Sequence, residues 1–220
     1  MGFFVDKKYR VLLFGGTFNP IHNGHLRMAQ EAIERLDFNE VIFIPSATPP
    51  HKTDVLSYTH RLKMAKLAIQ DIDYFKVSTI ESKRDGPSHT IDTVRHFQAE
   101  LGLNAKIYWL IGSDTIKELK TWHKIEELFK ECKFLIAERC PYRFYGSEGD
   151  NYLSYCAKET KGLIKSPVIN YFTPLINDVI EISSTDIRSR IKYKEKYAIK
   201  FLVPQKVEQY IYDNQLYQNK

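Results

Sequence analysis

The stretch Phe14-Gly15-Gly16-Thr17-Phe18-Asn19-Pro20-Ile21-His22-Asn23-Gly24-His25-Leu26 constrains this chain more than any other. It follows a short apolar run, Arg10 to Phe14, that reads as a buried parallel strand. It precedes Leu26 to Leu36, where Leu26, Met28, Ala29, Ala32, Ile33 and Leu36 fall at roughly helical spacing. The unit is a strand, a glycine loop and a helix, and such a unit aims backbone N–H groups and a helix N-terminus at an anion. His22 and His25 stand where the helix begins, three apart and on one face, so both imidazoles can reach one phosphate-sized object.

Simpler readings of the same residues are weaker. Gly-Gly after a strand can be only a tight turn, and a His-x-x-His pair can be a metal half-site or two surface histidines. The zinc-protease arrangement needs a Glu inside a four-residue spacing, and a Walker A loop needs Gly-Lys-Ser/Thr; neither is present, nor is G-x-G-x-x-G. The combination of glycines, proline and both histidines favours a phosphate site without protein metal ligands.

The rest of the chain alternates strand and helix signals. Strands are expected at Val41 to Ile44, Phe75 to Val77, Ile107 to Ile111, Phe134 to Ala137, Val168 to Phe172 and Val179 to Ile182. Helices are expected at Tyr58 to Ile69, Thr90 to Leu101, Ile125 to Phe129, Tyr152 to Lys161, Ser184 to Ile191 and Gln205 to Tyr212. Tyr142 to Gly149 reads as a loop. The alternation predicts an α/β fold, a parallel sheet covered by helices on both faces. Ligands of such sheets bind outside the carboxyl ends of the strands at the topological switch point, where the His-containing loop would lie. A chain of 220 residues suits one domain, residues 1–220, with 183–220 as a small C-terminal helical part.

Charge and cysteine content narrow the class. The net charge of +5 comes from 32 basic residues interspersed with 27 acidic ones, which fits polyanionic small molecules as well as nucleic acid and is no DNA signature. Cys132, Cys140 and Cys156 form no C-x-x-C pair, so a reducing compartment is expected. No apolar run approaches a membrane span and no signal peptide is evident, so the cytoplasm is the expected location. Homo-oligomerisation is left open.

Five further segments carry chemistry. Pro49-Pro50-His51-Lys52 holds a loop extended and offers a lysine suited to phosphates. Gly86-Pro87-Ser88 before a helix leaves N–H groups around Ser88 to Ile91 that can cradle a carboxylate. Ile111-Gly112-Ser113-Asp114 ends a strand with room for a nucleotide and a carboxylate able to accept from ribose hydroxyls. Trp122, before His123, is either a platform for stacking a pyridinium ring or a core residue. Ile182 to Arg190 starts a helix with Ser183 and Asp186 placed for a capping box, and Arg188 one turn in can bind phosphate.

Gly16, Phe18, Pro20, His22, Gly24 and His25 match the Gly-x-Phe-x-Pro-x-His-x-Gly-His signature of the nucleotidyltransferase superfamily without a miss. Taken with Pro-Pro-His-Lys, Gly-Pro-Ser-His-Thr-Ile-Asp-Thr, Gly-Ser-Asp and Trp122-His123, Ile-Ser-Ser-Thr-Asp-Ile-Arg and Phe201-Leu202-Val203-Pro204, the chain resembles the bacterial nicotinate-mononucleotide adenylyltransferase family over nearly its whole length. Two departures stand out: His89 where the family has an aromatic such as Tyr, and Glu138 to Gly149 without the usual Arg-Pro-Gly.

The resemblance implies a Rossmann-like nucleotidyltransferase fold. It implies transfer of the adenylyl group of ATP to nicotinate mononucleotide, with Mg²⁺ arriving with ATP. It assigns catalysis to His22, His25, Lys52 and Arg188. It assigns ATP to Gly15, Gly16, Thr17, Phe18, Gly24, Gly112, Asp114 and Ser184 together with His22, His25 and Arg188. It assigns the mononucleotide to Lys52, Thr90 and Trp122. Within the enzyme class, the rival substrate is nicotinamide mononucleotide, alone or beside the acid. From other classes, a non-catalytic nucleotide sensor would be expected to lose a histidine or the phosphate-facing cations, and this chain keeps them. An RNA-binding module would need a basic, aromatic stripe, for which Lys192 to Lys200 is the one candidate, more simply read as a solvated turn.

Overall fold

The computed structural model describes residues 9–50, 54–102, 104–138, 152–163, 170–175, 180–193 and 198–218. In chain order the elements are β1 (Tyr9–Gly16), α1 (Asn23–Leu36), β2 (Glu40–Pro45), α2 (Tyr58–Ile69), β3 (Phe75–Val77), α3 (Thr90–Leu101), β4 (Ala105–Gly112), α4 (Ile125–Glu131) and β5 (Lys133–Ala137). There follow α5 (Tyr152–Glu159), β6 (Phe172–Leu175), α6 (Ser184–Lys192) and α7 (Gln205–Asp213). Two 3₁₀ helices, Ile80–Lys83 and Ser113–Thr121, follow β3 and β4.

All strand pairs are parallel, in the order β3-β2-β1-β4-β5-β6. This is the Rossmann order, reversing between β1 and β4, and a crevice is expected at their carboxyl ends. β1 pairs Leu13 with Ile42 on one side and with Trp109 on the other. Val11, Leu12 and Leu13 are completely buried, because helices cover both faces of the sheet and a parallel strand has no wet side. Leu12 and Phe14 face one layer, where Met28 and Ala32 of α1, Met64 and Ala65 of α2, Ile187 of α6 and Val207 and Ile211 of α7 pack. Val11 and Leu13 face the other, with Ile91 and Val94 of α3, Leu128 of α4 and Cys156 of α5. The C-terminal helices thus share one core with the first strand.

Two expected strands are corrected. The last strand is Phe172–Leu175, whereas Asn170 and Tyr171 precede it, and residues 168 and 169 lie outside the described residues. Pro174 fits there because β6 is an edge among the described strands, where a missing N–H leaves no ladder bond unmade. Ile180 to Ile182 is no strand: the Ile182 N–H bonds the Ile180 carbonyl at 2.9 Å, a three-residue turn that folds the chain back. Its apolar alternation arises because Ile182 is buried in this bend while Ile180 is exposed. Residue 179 and the 142–149 loop lie outside the described residues, as do residues 194–197 of the basic turn. Cys132 and Cys156 are buried free thiols, and Cys140 is not described. No helix of the described residues is long and apolar enough to cross a membrane.

Candidate active site

A cavity of about 720 Å³ lies at the reversal of strand order. Its floor is the end of β1 (Phe14 to Gly16) and of β4 (Leu110 to Gly112). Thr17, Phe18 and Asn19 form one wall with His22 and His25 of the α1 start. Asp114 and Glu118 come from the 3₁₀ segment after β4, Trp122 caps its C-terminal end, and Ser184 and Arg188 come from α6. Of the expected site residues, Gly15, Gly16, Thr17, Phe18, His22, His25, Gly112, Asp114, Trp122, Ser184 and Arg188 line this one space.

His22 is the N-cap of α1 and His25 its third residue, and the two rings cap each other. The His25 N–H donates to His22 Nδ1 at 3.4 Å, and the His22 N–H donates to His25 Nδ1 at 3.2 Å. The rings stack at 3.6 Å between centroids. Because both Nδ1 atoms accept, each imidazole carries its proton on Nε2. The capping box therefore presets both rings to donate through Nε2. Gly24 follows from this stack: a Cβ there would come within 3.1 Å of His22 Nδ1. Gly24 sits against the His22 ring and is absent from the cavity lining.

The other loop glycines also have packing reasons. A Cβ at Gly15 would run into the Trp109 indole at 2.3 Å, and one at Gly16 would meet the Phe18 ring at 2.9 Å. The α1 N-terminus is less open than expected. The Asn23 N–H donates to the Leu202 carbonyl at 2.9 Å, and the Asn23 side chain to the Phe201 carbonyl at 2.6 Å. The segment before α7 thus uses a donor that the strand-loop-helix reading left for an anion.

α6 is tied to the same loop. Ser184 Oγ donates to the Pro20 carbonyl at 2.8 Å, and Arg188 Nη1 donates to the Asn19 carbonyl at 2.8 Å. Arg188 Nη2 reaches Thr185 Oγ1 at 3.2 Å, so its guanidinium stands at the cavity edge already oriented by backbone and hydroxyl. The expected capping box is one-sided: Ser183 Oγ accepts from the Asp186 N–H at 3.0 Å, while the Asp186 carboxylate takes Arg190 at 2.8 Å.

Trp122 is half-buried, with Phe134 6.2 Å away on the core side and the cavity on the other. Thr90 opens α3 but is absent from the cavity lining. The turn before it is pinned instead: Ser88 Oγ accepts from the N–H groups of Ala47 and Thr48, each at 3.1 Å. His89 gives α3 no side-chain cap, and its ring stacks on His123 at 4.3 Å. Lys52 lies outside the described residues.

Sequence reasoning missed a buried polar group beneath these loops. Arg61 of α2 is only 1% exposed. It donates to the carbonyls of Leu56 at 2.8 Å, Thr17 at 2.8 Å and Ala47 at 3.4 Å. Burial pulls its pKa below the ordinary arginine value, with Tyr217, Tyr58 and Glu81 acting in the opposite direction. A signal was present: Arg61 falls at i of the buried face continued by Met64, Ala65 and Ala68, where an apolar residue is the rule. Tyr217 was missed as well, since its hydroxyl bonds Asn19 Oδ1 at 2.9 Å from the far end of the chain.

A Rossmann-ordered parallel sheet with a deep crevice, two Nε2–H imidazoles and an arginine at its switch point defines a nucleotide-handling α/β protein. The cytidylyltransferase-like family model matches residues 13–190. A protein of Moorella thermoacetica named a probable nicotinate-nucleotide adenylyltransferase is 38% identical over 216 residues, 97% of this chain and 94% of its own length. The nicotinate-nucleotide adenylyltransferase of Bacillus subtilis is 35% identical over 214 residues, 96% of this chain and 99% of its own. The fold is similar to that of the Plasmodium falciparum nicotinic acid mononucleotide adenylyltransferase complexed with NaAD, with TM-score 0.71, 21% identity, and 95% and 97% of the two chains covered. The chain belongs to the cytidylyltransferase-like family and, within it, to the nicotinate-nucleotide adenylyltransferases.

Proposed function

We propose that this chain transfers the adenylyl group of ATP to nicotinate mononucleotide, releasing nicotinic acid adenine dinucleotide and pyrophosphate. The observation that carries the reading is the single cavity joining the His22–His25 pair, Arg188, Asp114 and Trp122, in a chain whose relatives bear that activity in their names. A mononucleotide phosphate has a second pKa of about 6, so it attacks the α-phosphorus already ionised and needs no general base. What the site must supply is in-line placement and donors for charge on the α-phosphate and the departing pyrophosphate. His22 and His25 are assigned those donors through Nε2–H, Arg188 and Lys52 the phosphate charges, and Ser184 a hydroxyl beside them.

Gly15 to Phe18 and Gly112 give the nucleotide a close approach, and Asp114 accepts from its ribose. Among the described residues no group of three His, Cys, Asp or Glu side chains could hold a metal ion. Mg²⁺ belongs to the substrate, MgATP, carried on phosphates and water.

Trp122 offers its cavity-side face to the pyridine ring, and the ring's carboxylate is assigned to the N–H groups at the start of α3 near Thr90. Acid is favoured over amide because the first-turn N–H groups of α3 receive no cap from His89 and suit a carboxylate. An amide would bring an N–H₂ with no partner, and an unpaired buried donor costs about 1–3 kcal/mol, enough for about a tenfold preference. A pyrophosphate-release assay with ATP and each mononucleotide in turn decides it. A kcat/KM for the acid at least about tenfold above the amide is expected; equal values, or the reverse order, would replace the substrate and keep the adenylyl transfer.

A further inference from the structure

Arg61 does not line the cavity, yet its guanidinium touches both loops that do. Thr17 belongs to the loop after β1, and Ala47 and Leu56 bracket the loop after β2. A planar trans peptide points its C=O and its N–H in opposite directions. Drawing the Thr17 carbonyl down onto Arg61 therefore turns the Phe18 N–H the other way, and both Thr17 and Phe18 line the cavity.

Phe18 also needs holding. Its φ is 48°, in the left-handed region that bulky residues avoid. Such a conformation is strained and persists only where neighbours over-determine it. On its C-terminal side Arg188 and Ser184 hold the Asn19 and Pro20 carbonyls; on its N-terminal side the corresponding grip is Arg61 on Thr17. A guanidinium alone can do this, since its rigid fork presents donors in several directions at once, whereas an ammonium is a point.

We propose that Arg61 is a positioning residue of this site, clamping the β1 and β2 loops into one unit through the Thr17, Ala47 and Leu56 carbonyls. The clamp couples the wall assigned to ATP to the loop that carries Lys52, and in that respect it rests on the proposed function.

The test uses the full chain with Arg61→Lys and Arg61→Ala, read by turnover and by amide hydrogen exchange. In Arg61→Lys, exchange should quicken in peptides spanning 14–22 and 44–50 while the β4 and β5 peptides keep their protection. Turnover should fall by about 10²-fold, the loss typical of an ångström-scale misplacement, in protein whose melting shows it folded. Guanidinium ion added to Arg61→Ala should restore part of the turnover and the loop protection together. Normal turnover in folded Arg61→Lys, or faster exchange spread evenly over the sheet, would overturn the clamp. If the wild-type protein shows no adenylyl transfer, the proposed function falls, and the exchange pattern decides the clamp alone.

Discussion

His22→Asn separates the chemistry of the histidine pair from its capping role. In the native chain His22 Nδ1 accepts the His25 N–H, and the reciprocal bond uses only the His22 backbone N–H. Asparagine is among the preferred N-caps and can take over that acceptor position, so a cap worth about 1 kcal/mol is retained. The second bond is untouched by the substitution. What disappears is the stacked ring and its Nε2–H. The ring is 1% exposed, and trading it for a smaller polar group should cost about 1–2 kcal/mol, within the usual range for a single change. For a chain of this size that lowers Tm by about 2–8 °C.

Domains begin at about 5–15 kcal/mol, so even the weakest case leaves about 3 kcal/mol and a folded fraction above about 99%. Losing a preorganised donor to transition-state charge costs about 10²–10³ in kcat, or roughly 2.7–4 kcal/mol. Unfolding cannot imitate that loss. Pyrophosphate release at saturating substrates, beside a melting curve, gives both numbers. Turnover within about threefold of wild type, in protein melting as expected, would refute the role of His22 as a donor to transition-state charge.

Trp122→Ala should raise KM for the mononucleotide well beyond that for ATP, by the order of the 1–3 kcal/mol that ring stacking contributes; equal changes in both would make its Phe134 side, not its cavity side, the one that matters. Glu81→Gln tests a buried carboxyl at the foot of the Gly86-Pro87-Ser88 turn, where Thr93 Oγ1 donates to Glu81 Oε1 at 3.0 Å. Burial raises the Glu81 pKa, opposed by the Ser88 and Thr93 side chains and by Arg84. A raised carboxyl pKa gives stability that is complete below the ordinary value and lost as pH climbs through the folded one. Wild-type Tm should therefore fall relative to Glu81→Gln as pH rises above the ordinary glutamate range, and parallel curves would remove the argument.

Much of the fold is legible because helical apolar patterns alternate with short apolar runs bounded by polar residues. α2, β3 and α3 begin and end where their patterns do, with Ser57 and His89 before helices and Gly102 after one. The 3₁₀ segment Ser113–Thr121 is not read, although its buried residues Ser113, Ile116 and Leu119 recur every third position. Three residues per turn is the 3₁₀ repeat, but such runs seldom exceed four residues, so the pattern competes poorly with a loop. The Ile180–Ile182 bend fails for another reason. Alternating burial is shared by a strand and by any turn that drops one residue into the core.

The site divides along a similar line. His22, His25, Asp114, Trp122 and Arg188 are found from sequence because local segments place them: a strand end, a helix start, a loop after a glycine. What holds them is not local. Asn19 receives Arg188 and Tyr217, Thr17 receives Arg61, and Asn23 gives its N–H to Leu202, partners far away along the chain. Nothing in periodicity announces such pairs. The one internal sign is a charged or polar residue on a face that should be apolar, as with Arg61 on α2. Gly24 marks the same boundary: its identity suggests a backbone close to a ligand, and the structure sets a catalytic candidate's own ring against it. In a loop this crowded a glycine next to histidine can serve the histidine first, and the nucleotide only through it.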